Sequence, residues 1–295
     1  MIKSQPTCLP CCLKQALVIA QEVTADKAQH MEVLREAMAA LEDFSLDISP
    51  AENSTYAVWA AHRALKNEDP FKEKKRFYNS LALKMYPSLR QIVERAENPL
   101  DASVRVAGAG NVIDLGIMGN DVDIEKAISD IFNQGFAVNH LEDLEEALLE
   151  ARNILYLGDN AGEIVFDKVL VEELVRLDKE VTFVVREVPA MNDILMEDAL
   201  AVGMDKVARV ISNGSTMFGA HLPSCSEEFL RAFHSADLII AKGQANIETL
   251  YGEKDNIFFI LKAKCEIMAQ NLGVKFGDMV LLHMARAMTA GREER

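Results

Sequence analysis

Asp159 and Asn160 stand side by side directly after the apolar run NILYL and open the stretch GDNAGE at 158–163. A carboxylate and an amide at that point offer two hard oxygen donors, the ligand type taken by Mg²⁺ or Mn²⁺. The first turn of a following helix can direct free N–H groups at a phosphate oxygen. The same pair also suits an Asx turn or a helix cap, and spacing alone serves both readings.

A second apolar run, VTFVV at 181–185, leads into Arg186 and then Asp193, which could join Asp159 and Asn160 around one ion or cap the next helix. A third, LIIA at 238–241, leads into Lys242, Gly243, Gln244 and Asn246. Lys at a strand end is a movable point charge suited to a phosphoryl group, although a surface Lys beside a turn is common. Gln244 and Asn246 could bind substrate hydroxyls or order the loop. Ser212 and Asn213, in VISNGSTMFG at 210–219, read as a pocket wall, with Asn-Gly as an ordinary turn.

Upstream, RVAGAGNVIDLG at 105–116 carries Gly108 and Gly110, which echo the opening of a dinucleotide or methyltransferase loop without completing G-x-G-x-x-G. Asn111 and Asp114 could instead support a phosphate or metal site, and a tight turn opening a helix is the plain alternative. Cys8 and Cys11 form a single C-x-x-C, half of a zinc site or a redox pair. Completing a tetrahedral site needs Cys265 together with Cys12 or a histidine, and buried thiols are the alternative. The histidines stand singly, and H-E-x-x-H, G-x-S-x-G and Walker A motifs are absent. That argues against zinc proteases, serine hydrolases and P-loop nucleotide hydrolases.

These residues need elements to position them. Before about residue 98 the pattern is helical, over 14–23, 27–44, 55–65 and 71–97, with Pro50, Pro70, Pro87 and Pro99 marking boundaries or kinks. Beyond it, strands are expected at 153–157, 181–185, 207–211, 238–241 and 257–261. Helices are expected at 162–177, 190–202 and 226–235, and an acidic amphipathic helix at 140–150. Alternation of this kind implies an α/β fold, a mostly parallel sheet covered on both faces, with ligands beyond the strands' carboxyl ends. The division expected is a helical subdomain over 1–98 and a core over 99–295.

The 295 residues are 49% hydrophobic and 26% charged, enough for a substantial core. A formal charge of −15 argues against nucleic acid and anionic membrane as partners. Five cysteines without a secretion signal favour a reducing, cytoplasmic compartment.

Taken in order, CLPC with Gln15, AGNVID, LGDNAGEIVFD, REVPAMND, SNGS, AKGQANIE and LKAKCEIMAQNLGV resemble the DUF89 family of metal-dependent damage-control phosphatases, in its stand-alone, cysteine-containing microbial branch. The resemblance implies a Rossmann-like three-layer α/β/α core with an N-terminal helical subdomain. It places a divalent ion (Mn²⁺, Ni²⁺, Co²⁺ or Mg²⁺) on Asp159, Asn160 and Asp193, and Lys242 at the phosphate. Asn111 matches the family's Gly-Asn signature, Asp114 its nearby Asp, and Glu163 the acid of its Asp-Asn-Ala-Gly-Glu turn. Ala245 stands where relatives often carry Gly.

The implied reaction is hydrolysis of a phosphate monoester of a small metabolite, such as a sugar phosphate or phosphopantetheine-like compound. Asp159, Asp193, Lys242 and Asn111 are the expected catalytic residues. Asp114, Glu163, Arg186, Ser212, Asn213, Gln244 and Asn246 are the expected substrate contacts. Attack by metal-activated water is favoured over a covalent aspartyl intermediate. Cys8, Cys11 and Cys265 resemble a set in the cysteine-containing branch, as shared structure or an additional metal site. The competing readings are a nucleotide- or S-adenosylmethionine-dependent transferase centred on 108–114, and a non-catalytic metabolite or metal sensor.

Overall fold

The structure is a computed structural model that describes residues 1–110 and 135–293. Helices come first: α1 (Cys8–Val23), α2 (Lys27–Ala40), α3 (Pro50–Leu65), α4 (Lys72–Arg95) and α5 (Pro99–Gly110). Ser49 caps α3 by accepting from Glu52 N at 3.1 Å, and Pro50 supplies the fixed φ suited to a first helical turn. Pro87 does not end α4. Ala82, Met85, Leu89 and Val93 keep a buried stripe running past it, so packing carries the helix through the missing hydrogen bond.

The core follows as β1 (Val138–Asn139), α6 (Leu141–Glu150), β2 (Asn153–Leu157), α7 (Glu163–Arg176), β3 (Glu180–Val185) and α8 (Met196–Ala201). Then come β4 (Arg209–Ser212), α9 (Glu227–Ser235), β5 (Leu238–Lys242), α10 (Gln244–Leu250), β6 (Ile257–Lys262), α11 (Glu266–Leu272), β7 (Met279–His283) and α12 (Met284–Glu293). The strands form one sheet in the order β1-β7-β6-β5-β2-β3-β4. Pairing is parallel except between β6 and β7.

Strand alternation sends Ile154, Tyr156, Phe183, Val185 and Ile240 to one face, where α4, α5 and α7 cover them. Leu155, Leu157, Val184, Ile239 and Phe259 point to the other, against Phe229, Phe233 and Leu250. A third cluster, built on Cys12, Ala16, Ile19, Ala37 and Val58, holds α1 to α3 together and reaches Ala190 and Phe218 on the core's loops. This is the Rossmann-like α/β/α arrangement with a helical subdomain. Among the described residues no helix is long and apolar enough to cross a membrane.

Two expectations change. The helix read over 190–202 covers only Met196–Ala201, because residues before it are drawn into pairing with the β2 turn: Ile194 N donates to Asp159 O at 3.0 Å, and Arg186 N to Ile194 O at 2.9 Å. Gly108 and Gly110 lie in helix α5 rather than in a loop after a strand. The dinucleotide or methyltransferase reading of that stretch thereby loses its geometry.

Candidate active site

The chain runs from β2 to β3 and β4 on one side, then returns to β5 and β6 on the other. The strand order therefore reverses between β2 and β5, which opens a crevice beyond their carboxyl ends. Asp159 stands there at the end of β2, and Gly243 at the end of β5. The two are in close contact. Gly243 has φ +79°, and a Cβ on it would lie 1.9 Å from Asp159 Oδ2, so only glycine leaves room for that carboxylate.

The β3 loop closes the third side. Asn160 and Asp193 form an isolated antiparallel bridge, and Ala161 N donates to Asn192 O at 2.9 Å. Asp159, Asn160 and Asp193, predicted to act together, are thus brought onto one rim. Asn160 donates its amide N–H to Asp159 Oδ2 at 2.7 Å and to Glu163 Oε2 at 3.1 Å, leaving its side-chain oxygen for other partners.

The carboxylates compete. Burial, then the charges of Glu163 and Asp193, pushes Asp159 up to about 8. Burial pushes Asp193 up to about 6, against the pull of Arg186, Lys75 and Lys264. Carboxylates crowded so that ionisation is costly are relieved by a cation, and the oxygen-only donor set suits a hard divalent ion. Among the described residues, however, no group of three or more His, Cys, Asp or Glu side chains is arranged to hold a metal. Asp193 instead meets Arg186 Nε at 3.3 Å.

Lys242 is at the rim but beneath its surface. Fully buried, its Nζ donates to Glu163 Oε1 at 2.7 Å, Asp167 Oδ1 at 2.5 Å and Ala107 O at 2.8 Å. Burial works against its charge, yet Asp167 and Glu163 outweigh that and hold the amine above its usual range. Burial pushes Asp167 up to about 7 despite Lys242, while Tyr156 donates its hydroxyl to Asp167 Oδ1 at 2.7 Å. Tyr156, Asp167, Lys242, Glu163, Asn160 and Asp159 form one continuous hydrogen-bonded chain from the core to the rim.

Several expected substrate contacts are engaged in holding the loops. Arg186, 6% exposed, donates to the carbonyls of Gly219 and Met217. Asn213 accepts from Ser215 N at 3.0 Å, and Ser212 donates to Glu187 at 2.5 Å. Asn246 donates to Lys242 O at 2.8 Å and Gly158 O at 3.4 Å, tying the two sides of the crevice. Gln244 turns away, to Glu248 Oε1 at 2.8 Å and Cys265 Sγ at 3.5 Å, while accepting from Lys264 N at 3.1 Å. Asn111 and Asp114 lie outside the described residues.

Cys8, Cys11 and Cys265 do share one neighbourhood. Burial raises the Cys8 and Cys11 thiols, and the charges of Cys265 and buried Glu248 raise both further. All five cysteines are free thiols.

Sequence reasoning passed over Lys75, Asn79, Asp167 and Lys264. Asp167 carried a readable signal, a second carboxylate four residues after Glu163 on the same helix face, directly after the apolar IVF at 164–166. Lys75 and Asn79 carried the same kind of signal on the buried face of α4.

An α/β/α core with acidic and amide side chains gathered beyond the carboxyl ends of β2 and β5 places them where α/β sheets commonly bind ligands. The profile described as "Damage-control phosphatase ARMT1-like domain" matches residues 4–280. The chain is 33% identical to a damage-control phosphatase of Pyrococcus horikoshii and 35% identical to one of Archaeoglobus fulgidus, each match covering 95% of this chain and 98% of the relative. It is also 38% identical to an uncharacterized protein of Methanocaldococcus jannaschii, over 95% of both chains. The crystal structure of a DUF89 family protein from Pyrococcus horikoshii superposes with a TM-score of 0.90 at 32% identity, covering 96% of this chain and 99% of that one. The chain belongs to the DUF89, ARMT1-like damage-control phosphatase family, and is a hydrolase by that membership.

Proposed function

We propose that this chain is a divalent-metal-dependent phosphatase that hydrolyses phosphate monoesters of small metabolites, such as sugar phosphates or phosphopantetheine-like compounds, in the crevice between β2 and β5. The observation that carries the reading is the junction of Asp159, Asn160 and Asp193 at the strand-order reversal, with Asp159 pressed against the backbone of Gly243. Asp159, Asp193 and the side-chain oxygen of Asn160 would hold the ion. When bound, Mn²⁺, Ni²⁺, Co²⁺ or Mg²⁺ supplies Lewis-acid polarisation and a lowered pKa for the attacking water.

The chain's own residues do the rest. Lys242 acts from below: it fixes Glu163, which fixes the Asn160 amide, so its charge orders the rim and contributes positive field there at short range. Arg186 orients Asp193 and anchors the 217–219 loop as one wall. Lys264 adds positive field at Asp159 and Asp193, where a phosphoryl group would enter. Asn111 and Asp114 keep their proposed roles, as a catalytic residue and a substrate contact.

Phosphate release tests the reading. Metal-stripped protein is assayed against a panel of sugar phosphates and phosphopantetheine-like compounds, with Mn²⁺, Ni²⁺, Co²⁺ or Mg²⁺ restored in turn, beside Asp193→Ala. Turnover that requires metal and is lost in a folded Asp193→Ala is the expected result. Metabolite binding with no turnover on any substrate would instead make the chain a sensor.

A further inference from the structure

Helix α4, packed with α5 and α7 on one face of the sheet, reaches two loops of the crevice through one buried side chain. Asn79 is 4% exposed. Its Oδ1 accepts from Gly162 N at 2.7 Å, and its Nδ2 donates to Asp198 Oδ1 at 2.9 Å. Gly162 closes the turn that carries Asp159 and Asn160. Asp198 lies in the first turn of α8, the helix that follows Asp193, and its other oxygen accepts from Leu195 N at 3.0 Å. One amide therefore ties together loops that follow two different strands.

The local charges fit this arrangement. Lys75 lies one turn earlier on the same face of α4, 1% exposed, with Nζ 3.0 Å from Asp69 and 3.6 Å from Asp198 Oδ2. Asp198 Oδ1 takes its donor from position 79. Gly162 N–H needs an acceptor there. The Asn79 amide supplies both from one side chain. Leu would fill the space but leave a buried N–H and a buried carboxylate without their partners.

We infer that Asn79 is a positioning residue for the metal site: it holds the 158–163 turn and the 193–198 segment in register, so that Asp159, Asn160 and Asp193 face one another. The metal half of this inference rests on the phosphatase reading. The clamp half does not. Groups that orient metal-binding side chains from behind are worth about 10- to 100-fold in metal affinity. Asn79 reaches these ligands through backbone.

The experiment uses the full chain as wild type, Asn79→Ala, Asn79→Asp and the double variant Asn79→Asp/Asp198→Asn. Asn79→Asp keeps an acceptor for Gly162 N–H but sets two carboxylates against each other. The double variant reverses donor and acceptor and restores both hydrogen bonds. Amide hydrogen exchange is followed in the metal-free protein, and Mn²⁺ binding by calorimetry.

Faster exchange in both 158–163 and 193–198 is expected for the two single variants, together with a rise in the Mn²⁺ dissociation constant of about 10- to 100-fold. The double variant should recover both properties. Unchanged exchange in the two loops, or unchanged Mn²⁺ affinity beside a lowered melting temperature, would reduce Asn79 to a packing residue and overturn the inference. A wild-type chain that binds none of Mn²⁺, Ni²⁺, Co²⁺ and Mg²⁺ would sink the proposed function instead, and the exchange measurement would still decide the clamp.

Discussion

The two ends of the sheet carry charge in opposite ways. At the amino ends of β2, β3 and β4 lies a hollow of about 780 Å³, lined by Lys179, Glu180, Arg209, Glu228 and Arg231. The ion pairs there, Arg209–Glu228 within the lining and Arg152–Glu180 beside it, keep more than half of each side chain in water. At the carboxyl ends Lys242, Glu163 and Asp167 are instead sealed from solvent, and Asp159 and Asp193 are forced to compete. Exposed pairs are screened and contribute little, whereas crowded buried charges are costly and persist where they serve a task.

That contrast can be broken most severely at Lys242. Lys242→Met leaves Glu163 and Asp167 buried without their counter-charge, and should cost about 3–5 kcal/mol in denaturant unfolding. A loss under about 1 kcal/mol would mean that the cluster is already neutral and that the buried ion pairs are misread.

Gly243→Ala comes next. Its methyl would occupy the space of the Asp159 carboxylate, and a displacement of that size should lower kcat/KM for phosphate release by about 100-fold. Activity within a few-fold of wild type would contradict the close approach.

A smaller effect concerns pH at Glu248, which burial pushes up from 4.5 to about 7, against hydrogen bonds from Gln244 and the backbone of Ala51. A raised folded pKa means that the native state holds a proton the unfolded chain has released. Its contribution is intact below about 4.5 and declines as pH rises through about 7. Glu248→Gln should therefore gain stability relative to wild type on going from pH 5 to pH 8. Parallel unfolding curves for the two proteins across that range would remove the argument.

The smallest effect sharpens the comparison from the other end. Arg231→Ala, at the amino-end hollow, removes an exposed pair with Glu227 and should change stability by about 0.5 kcal/mol or less, with turnover unaltered.

Strands buried on both faces read as near-continuous apolar runs, which is why NILYL was legible as β2 to the residue. The turn after it was legible as a turn, while its spacing served a ligand pair and an Asx turn or helix cap alike. Two kinds of feature were not. Residues 190–195 looked helical because extended pairing to Asp159 is a tertiary event that leaves no local period. Lys242 was visible as a charge at a strand end, but its burial depended on Glu163 and Asp167 arriving from α7, 79 and 75 residues away. Asn79 was hidden for the same reason, since its partners lie 83 and 119 residues along the chain.

The central claim is that the carboxyl-end crevice, not the amino-end hollow, holds the ion. Calorimetric titration of Mn²⁺ into metal-stripped wild type, Asp159→Asn and Arg231→Ala tests it most directly. The account predicts one binding event in wild type, the same event in Arg231→Ala, and its loss in a folded Asp159→Asn. Equal binding in all three proteins would contradict it.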